Sequence, residues 1–224
     1  MRIDFYTYVH QCQRKQMFNL AMHAGEINYN EPEKLLPLAE ELAVFLTGIR
    51  SHADHEDIFI HPLLRRKMPS ASRTLDNEHE ELKKELLNLE ENFAHIQLLI
   101  NHYPKRQEQG LEFYRALNRF IANYLYHIDK EEYVMQNLWE IAAAPELSGM
   151  MMAFQVYHDP EEGRKWLSNH LPAMNFDERV LMFKTVELMA PASCFLSMSK
   201  ISEEILGDNV RVRPNTSSPE IKIF

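Results

Sequence analysis

The sequence has little cysteine, little glycine and no long apolar run. Its two cysteines, Cys12 and Cys194, form no CxxC pair, which argues against a disulfide framework and suits a reducing compartment. The six scattered glycines argue against the glycine-rich loops that bind phosphate groups. No apolar stretch is long enough to span a membrane, and the opening residues, MRIDFYTYVHQ, turn polar too soon for a signal peptide. We therefore expect a cytoplasmic protein that does not insert into a membrane.

Positive charge is also scarce. Lysine and arginine number 24 against 33 aspartates and glutamates, which gives a formal net charge of -9. Because no block is rich in lysine or arginine, a surface for nucleic acid or for anionic lipid is not expected. The residues present in unusual number are eleven histidines and twelve methionines.

Helical periodicity dominates the chain, and no segment shows the alternation of a β-strand or a hairpin dipeptide. Breakers at 25–32, 67–72 and 102–110 separate four long amphipathic patterns, the last of which ends near Ala143. Long helices joined by short loops are antiparallel neighbours. We therefore predict an all-α chain in which residues 1–143 form an up-down-up-down antiparallel four-helix bundle.

The remainder of the chain is predicted to differ in organisation. Residues 144–206 contain further amphipathic patterns, interrupted at Pro191, and are expected to form helices that pack on the bundle or on a partner. The adjacent Met150, Met151 and Met152 either close the open side of the bundle or form a soft surface for self-association or for another protein. Residues 207–224 lack helical period and are expected to be an irregular or disordered tail.

Polar residues interrupt the apolar stripes of the predicted bundle. In the second pattern the stripe Leu42, Phe45 and Ile49 continues, by alternating steps of three and four, through positions 52 and 56. The apolar stripe of the third pattern passes through position 79, and that of the fourth passes through positions 127 and 131. The residues that the stripes place toward the core are His52, Glu56, His79, His127 and Glu131.

The spacing His-x-x-x-Glu occurs twice among these residues, at 52–56 and at 127–131. Residues four apart lie on one face of a helix, so each pair directs an imidazole and a carboxylate to the same point. An unpaired ionised glutamate in a core costs several kcal/mol, roughly, and the stripes carry no matching lysine or arginine. Divalent metal ions would remove that cost. The first helix offers His10, which lies on its inner stripe, or His23, which lies near the loop, and we favour His10.

This order of residues resembles the hemerythrin family and its hemerythrin-like, HHE cation-binding relatives. The resemblance covers residues 1–143 and includes the stretch HADHEDIFIHPLL in the second pattern. It implies a non-haem di-iron centre, with two iron ions (Fe2+/Fe3+) bridged by carboxylates and by an oxo or hydroxo group. By the same resemblance Glu56 and Glu131 are the bridging residues, and the terminal ligands are His10, His52, His79 and His127. Zinc or a single metal ion is the alternative.

Two departures from the family pattern bear on function. Leu75 stands one turn before His79, where hemerythrins have a second histidine, and the fourth helix has His-x-x-x-Glu in place of His-x-x-x-x-Asp. The missing histidine leaves room at one metal for a small ligand. His55 is a candidate replacement ligand, or else an outer donor or a flanking surface residue.

Other residues of the predicted site have weaker signals. His61 lies nine positions past His52, half a turn round the helix, which predicts a solvent-facing or helix-packing position outside the site. Tyr124 lies one turn before His127 and is expected to line the pocket or to be an ordinary core aromatic. The acids Asp57, Asp129 and Glu132 are expected at the surface or as acceptors for imidazole N–H groups.

These features favour a metal protein that binds or senses oxygen, nitric oxide, iron or redox state, and no catalytic residue is assigned. One alternative is a di-iron oxidoreductase that acts on peroxide or nitric oxide or repairs iron centres. Another is a binding module in which the metal is structural.

Overall fold

A computed structural model of the chain describes residues 6–99, 102–157, 160–189 and 192–207. The described residues are almost entirely helical and contain no β-strand, so the prediction of an all-α chain is confirmed. The helices are α1 (Thr7–Glu26), α2 (Pro32–His55), α3 (His61–Lys67), α4 (Pro69–Leu98), α5 (Tyr103–Ile141), α6 (Ala144–Tyr157), α7 (Pro160–His170), α8 (Phe176–Met189) and α9 (Ala192–Leu206).

Prolines mark the starts of the long helices. Pro32 and Pro69 are the first residues of α2 and α4, and Pro104 lies in the first turn of α5. Proline is tolerated there because the first N–H groups of a helix have no acceptor within it, and its fixed φ angle already suits a helix.

A π-helical turn, Glu56–Ile60, lies between α2 and α3. The backbone N–H of His61 donates to the carbonyl oxygen of Glu56, five residues earlier. Such a turn holds one residue more than an α-helical turn, so it changes the direction in which the side chains after Glu56 point. The second amphipathic pattern is therefore two α-helices with different registers.

Contacts join α1 to α2, α2 to α4, α4 to α5 and α1 to α5, and each of these helices contributes residues to a core of mainly leucine, isoleucine, phenylalanine and methionine. In each contacting pair, residue numbers fall along one helix as they rise along the other. The pairs that show this are His10–His52 and His23–Glu41 for α1 and α2, Arg50–Glu90 and Asp57–His79 for α2 with its following π-helical turn and α4, Glu78–His127 and Phe93–Phe113 for α4 and α5, and His10–Glu132 and Tyr124–Gln13 for α1 and α5.

Gly110 of α5 lets the ring of Tyr29, from the loop between α1 and α2, approach the helix backbone closely. A Cβ atom at this position would lie 2.3 Å from Cγ of Tyr29, whose ring packs against the α5 backbone. The Tyr29 hydroxyl donates to the carbonyl oxygen of Ala24 at 2.8 Å, which fixes the ring at the end of α1. Only glycine fits against the ring in this position.

The chain divides into two compact units, residues 1–157 and 158–224. Helix α6 belongs to the first unit, whereas the sequence grouped 144–206 together. Within the first unit, Glu146 of α6 pairs with Lys67 of α3 at 2.9 Å. In the second unit Arg164 of α7 pairs with Glu204 of α9 at 2.7 Å.

Some sequence predictions fall outside the described residues. The tail predicted at 207–224 is among them, except for Gly207, which follows α9 with a φ of 61°. Pro191 also lies outside them. Among the helices that are described, none combines the length and the apolar character of a membrane span.

Candidate metal centre

Two groups of buried side chains lie together where α1, α2, α4 and α5 meet, and Glu56 and Glu131 belong to both groups. In each group the potential ligand atoms lie within 4.8 Å of one another. The groups are His10, His52, Glu56 and Glu131, and Glu56, His79, His127 and Glu131. The arrangement is that of two adjoining four-residue sites that share two carboxylates.

Each shared glutamate gives one oxygen to each histidine pair. The distances are 3.2 Å from Glu56 Oε1 to His52 Nε2, 3.2 Å from Glu56 Oε2 to His79 Nε2, 2.8 Å from Glu131 Oε1 to His127 Nε2, and 3.3 Å from Glu131 Oε2 to His10 Nε2. The two carboxylates therefore span both halves of the cluster.

The local sequence explains how one helical segment can supply two ligand residues. His52 and Glu56 are four residues apart at the end of α2, and His127 and Glu131 are four apart within α5, so each pair shares a helix face. Their place on the apolar stripe buries them: Glu56 is 1% exposed and Glu131 is 0% exposed.

Carboxylates outside the cluster fix the orientation of three imidazoles. In each, Nδ1 lies against an acid, so Nδ1–H donates outward and Nε2 faces the cluster. The pairs are His10 with Glu132 at 2.9 Å, His79 with Asp57 at 3.2 Å, and His127 with Glu78 at 3.0 Å. Sequence spacing suggested such a role for Asp57 and Glu132, but Asp129 is exposed. It missed Glu78, for which the sequence offers no signal beyond its place beside His79.

The inward atoms of the cluster fit a metal better than they fit one another. Nε2 of His10 lies 3.1 Å from Nε2 of His52, so the two nitrogens, once both are deprotonated, would place lone pairs against each other unless a cation lay between them. Both carboxylate oxygens of Glu56 and Oε2 of Glu131 are buried without hydrogen-bond geometry to any donor. Leaving such atoms unsatisfied is costly, and cations that bind imidazole and carboxylate directly remove the cost.

Protons take the place of cations in the metal-free cluster. Burial lowers the pKa of His79, but Glu131 and Glu56 outweigh it and raise the value to about 11. Burial likewise lowers the pKa of His10, while Glu131 and Glu132 raise it to about 9. Burial and the charge of Glu131 raise the pKa of Glu56, yet nearby histidines hold it below its ordinary value. Burial also raises the pKa of Glu131, and the histidines around it bring it well below the ordinary value.

Two buried tyrosines border the cluster. Tyr6 stacks on His10 with ring centroids 4.9 Å apart, and burial followed by the charge of Glu56 raises its pKa well above the ordinary value. The Tyr124 hydroxyl donates to Gln13 Oε1 at 3.1 Å, and its ring centroid lies 5.9 Å from that of His127. The sequence put Tyr124 beside the site, whereas the position of Tyr6 above His10 was not predicted.

His61, which was predicted to face solvent or to pack between helices outside the site, is buried beside the cluster. Its side chain is 0% exposed, and its ring stacks on His79 with centroids 5.0 Å apart. Its Nδ1–H donates to Asp76 at 2.8 Å, and Asp57 lies 3.2 Å from the same atom. The π-helical turn gives the physical reason, because it rotates His61 away from the half-turn position that an α-helix would give it.

Asp57, His61 and His79 also come within 4.8 Å of one another, but they form no third site of the same kind. The atoms that meet there are a carboxylate oxygen of Asp57 and the Nδ1 atoms of the two histidines. Because Nδ1–H of His79 donates to Asp57 and Nδ1–H of His61 donates to Asp76, this group supports His79 from outside the cluster.

Three other residues considered for the site lie elsewhere. His55 is half-buried, belongs to neither four-residue group, and has its ring centroid 6.2 Å from that of Phe59. His23 pairs with Glu41 at 2.7 Å. Leu75, one turn before His79, is buried. The structure thus brings together six of the predicted ligands and leaves His55 outside them.

A cavity of about 220 Å³ reaches the cluster between α2 and α4. Its lining includes His52, Glu56, His79, His127 and Tyr124. The cavity therefore leads to the cluster from the side of α2 and α4.

Comparison with models of known protein families, with curated proteins and with solved structures gave no significant match.

Proposed function

We propose that the chain is a hemerythrin-like protein that holds two iron ions in this cluster and binds or senses oxygen, nitric oxide, iron or redox state. The observation that carries the proposal is the division of the Glu56 and Glu131 oxygens between two histidine pairs. A carboxylate that satisfies one cation needs only one oxygen, whereas this arrangement suits two cations side by side.

In this proposal Glu56 and Glu131 would each hold both metal ions, and two histidines would hold each ion. His10 and His52 would hold one ion, and His79 and His127 the other. A bound di-iron pair supplies electron exchange and open coordination positions for small ligands. The chain's own contribution is to fix the imidazoles through Glu132, Asp57 and Glu78 and to exclude bulk water by burial.

We propose further that α1, α2, α4 and α5 form the up-down-up-down bundle of that family. The antiparallel contacts α1–α2, α2–α4, α4–α5 and α5–α1 support it, because they close into a ring of four helices around one core.

Iron is favoured over zinc by the resemblance of the motifs and not by the donor set. Four imidazoles and two carboxylates suit iron and, equally by type, zinc. Ferritin-like di-iron proteins use sets richer in carboxylate, with a Glu-x-x-His motif that this cluster does not use. The zinc alternative therefore remains a defined outcome of the test.

The accessible cavity favours ligand binding over a purely structural metal. Structural metal sites are closed, and sites that bind ligands keep an open side. The cavity between α2 and α4 reaches Glu56, His79 and His127. The same observation is compatible with a di-iron oxidoreductase, which makes that enzyme class the second candidate.

Metal analysis and the visible spectrum of the aerobically purified chain test the proposal. We expect about two irons per chain and visible charge-transfer absorption. Stoichiometric zinc without colour would support the structural alternative, and a folded chain that binds no metal would contradict the proposal. Rapid turnover of peroxide or nitric oxide by the iron-loaded chain would favour the enzyme.

A further inference from the structure

The cavity beside the cluster is elongated along two helices. One wall runs from Glu56, at the start of the π-helical turn, back along α2 to Ile49, and the α4 wall runs from His79 forward to Leu86. Each stretch covers seven helical steps of 1.5 Å, or about 10 Å. Because α2 and α4 are antiparallel, the two stretches face each other, so the cavity extends from the cluster toward the level of Ile49 and Leu86.

This space exceeds what a diatomic ligand needs. The cavity of about 220 Å³ is many times the roughly 10–15 Å³ that a cavity needs to hold one water molecule. Oxygen or nitric oxide would fill only the end of the cavity at the cluster.

The lining changes character along the cavity. The inner end carries the inward imidazoles and Glu56, whereas the walls beyond them are apolar and include Ile49, Ala53, Leu82 and Leu86. A ligand that fits this sequence of surfaces has a polar head at the cluster and a hydrocarbon body along the walls.

The rim of the cavity carries charges of both signs and therefore does not favour a ligand of either charge. Arg50 and Lys83 line it together with Asp54. Arg50 is paired with Glu90 at 2.6 Å, and Lys83 with Glu80 at 3.0 Å, so neither cation is reserved for an anionic ligand. Recognition therefore rests on the metal-binding head and on the apolar walls.

We propose that this cavity binds an organic molecule with an oxygen-donor head, such as a carboxylate, hydroxamate or hydroperoxide, and a short hydrocarbon body. The inference rests on the proposed function, because the head binds the metal pair. It names the class of ligand for that site.

Hydroxamates of increasing length, with azide as a short reference ligand, test the proposal on the iron-loaded full chain. Binding is followed by the visible absorption of the iron, and gel filtration checks that the iron stays bound. Each methylene group removed from water strengthens binding by about fourfold. We expect hexanohydroxamate to bind at least about tenfold more tightly than acetohydroxamate.

Two leucines of α4 provide matched variants. Leu82 lines the cavity, whereas Leu87 is exposed on the same helix. Leu82→Phe should reduce the preference for the longer hydroxamate to less than about threefold and leave azide binding unchanged, since the added ring fills the apolar part of the cavity. Leu87→Phe should behave as the wild type. Ala53→Leu narrows the same space from α2 and should reproduce the effect if Leu82→Phe fails to fold.

Equal affinities for the two hydroxamates in the wild type would overturn this proposal, as would equal effects of Leu82→Phe and Leu87→Phe. If iron loads and azide binds in those cases, the proposed metal centre stands and only the ligand class is wrong. If the folded chain takes up no metal, both proposals are wrong.

Discussion

Glu56 and Glu131 divide their carboxylate oxygens between the same two pairs of histidines. Oε1 of Glu131 lies 2.8 Å from Nε2 of His127, and its Oε2 lies 3.3 Å from Nε2 of His10 on a different helix. Glu56, which directly follows α2, places Oε1 3.2 Å from Nε2 of His52 and Oε2 3.2 Å from Nε2 of His79. The histidines therefore belong to one half of the cluster each, while the glutamates belong to both.

This division predicts different metal losses from different substitutions. The double variant His79→Ala, His127→Ala should lose about one of the two metal ions, because these histidines belong to only one half of the cluster. Glu131→Gln should weaken the binding of both ions, since it removes a charge that the two halves share. Metal content after gel filtration measures the outcome, with the exposed Glu80→Gln on α4 as the control.

If the double histidine variant and Glu131→Gln each lost exactly one ion, Glu131 would bind only one metal ion. That result would contradict the bridging assignment.

Metal binding should release protons. His10, with a pKa of about 9, and His79, with a pKa of about 11, are protonated at pH 7 in the metal-free chain. Each must lose its Nε2 proton to bind a metal, so at least about two protons should leave per chain at pH 7. Metal affinity should accordingly rise with pH and fall as pH decreases. Zinc titration by calorimetry in buffers of different ionisation enthalpy counts the protons, and a count of zero would contradict the assignment of these nitrogens.

The outer carboxylates should tune affinity without binding metal. Glu132→Gln keeps an acceptor near Nδ1 of His10 but removes the charge that supports it, and loss of such a partner typically weakens metal binding by about 10- to 100-fold. We expect a loss toward the lower end, with the number of ions at saturation unchanged. Competition with a metal-binding dye measures the affinity. Asp129→Asn, an exposed site on the same helix, should have no effect.

Two glycines predict opposite results for the same substitution. Gly110→Ala should lower the free energy of unfolding by about 1–3 kcal/mol, because the new Cβ would meet the Tyr29 ring at 2.3 Å. Gly48→Ala, in α2, should raise it by about 0.5–1 kcal/mol, since the nearest atom is Gln16 Oε1 at 3.9 Å and alanine favours helix. Urea unfolding at equilibrium measures both, and a stabilising Gly110→Ala would show that Tyr29 does not pack as described.

Sequence spacing predicted the parts of the site that follow regular helix geometry. His52 with Glu56 and His127 with Glu131 could be placed because four residues complete about one turn, and the apolar stripes showed that these residues face inward. His79 and His10 followed from the stripes of their own helices. The all-α class followed from the same periodicity.

The parts that could not be predicted depend on departures from regularity or on contacts between distant segments. The π-helical turn after His55 has no reliable pattern in the sequence, so the inward position of His61 was missed. The pairing of Glu78 with His127 joins residues 49 positions apart on different helices, and no periodicity within one helix contains that information. The boundary between the two compact units, after Tyr157, lies inside the stretch 144–206 that the sequence analysis treated as one group.

The most direct test of the account is to count the metal ions on one chain. The metal-free wild-type chain is loaded anaerobically with Fe2+, and native mass spectrometry measures the added mass. Two adjoining four-residue groups that share Glu56 and Glu131 predict a dominant species with two irons per chain. A folded chain that saturates with one iron, or that takes up none, would contradict a two-metal centre.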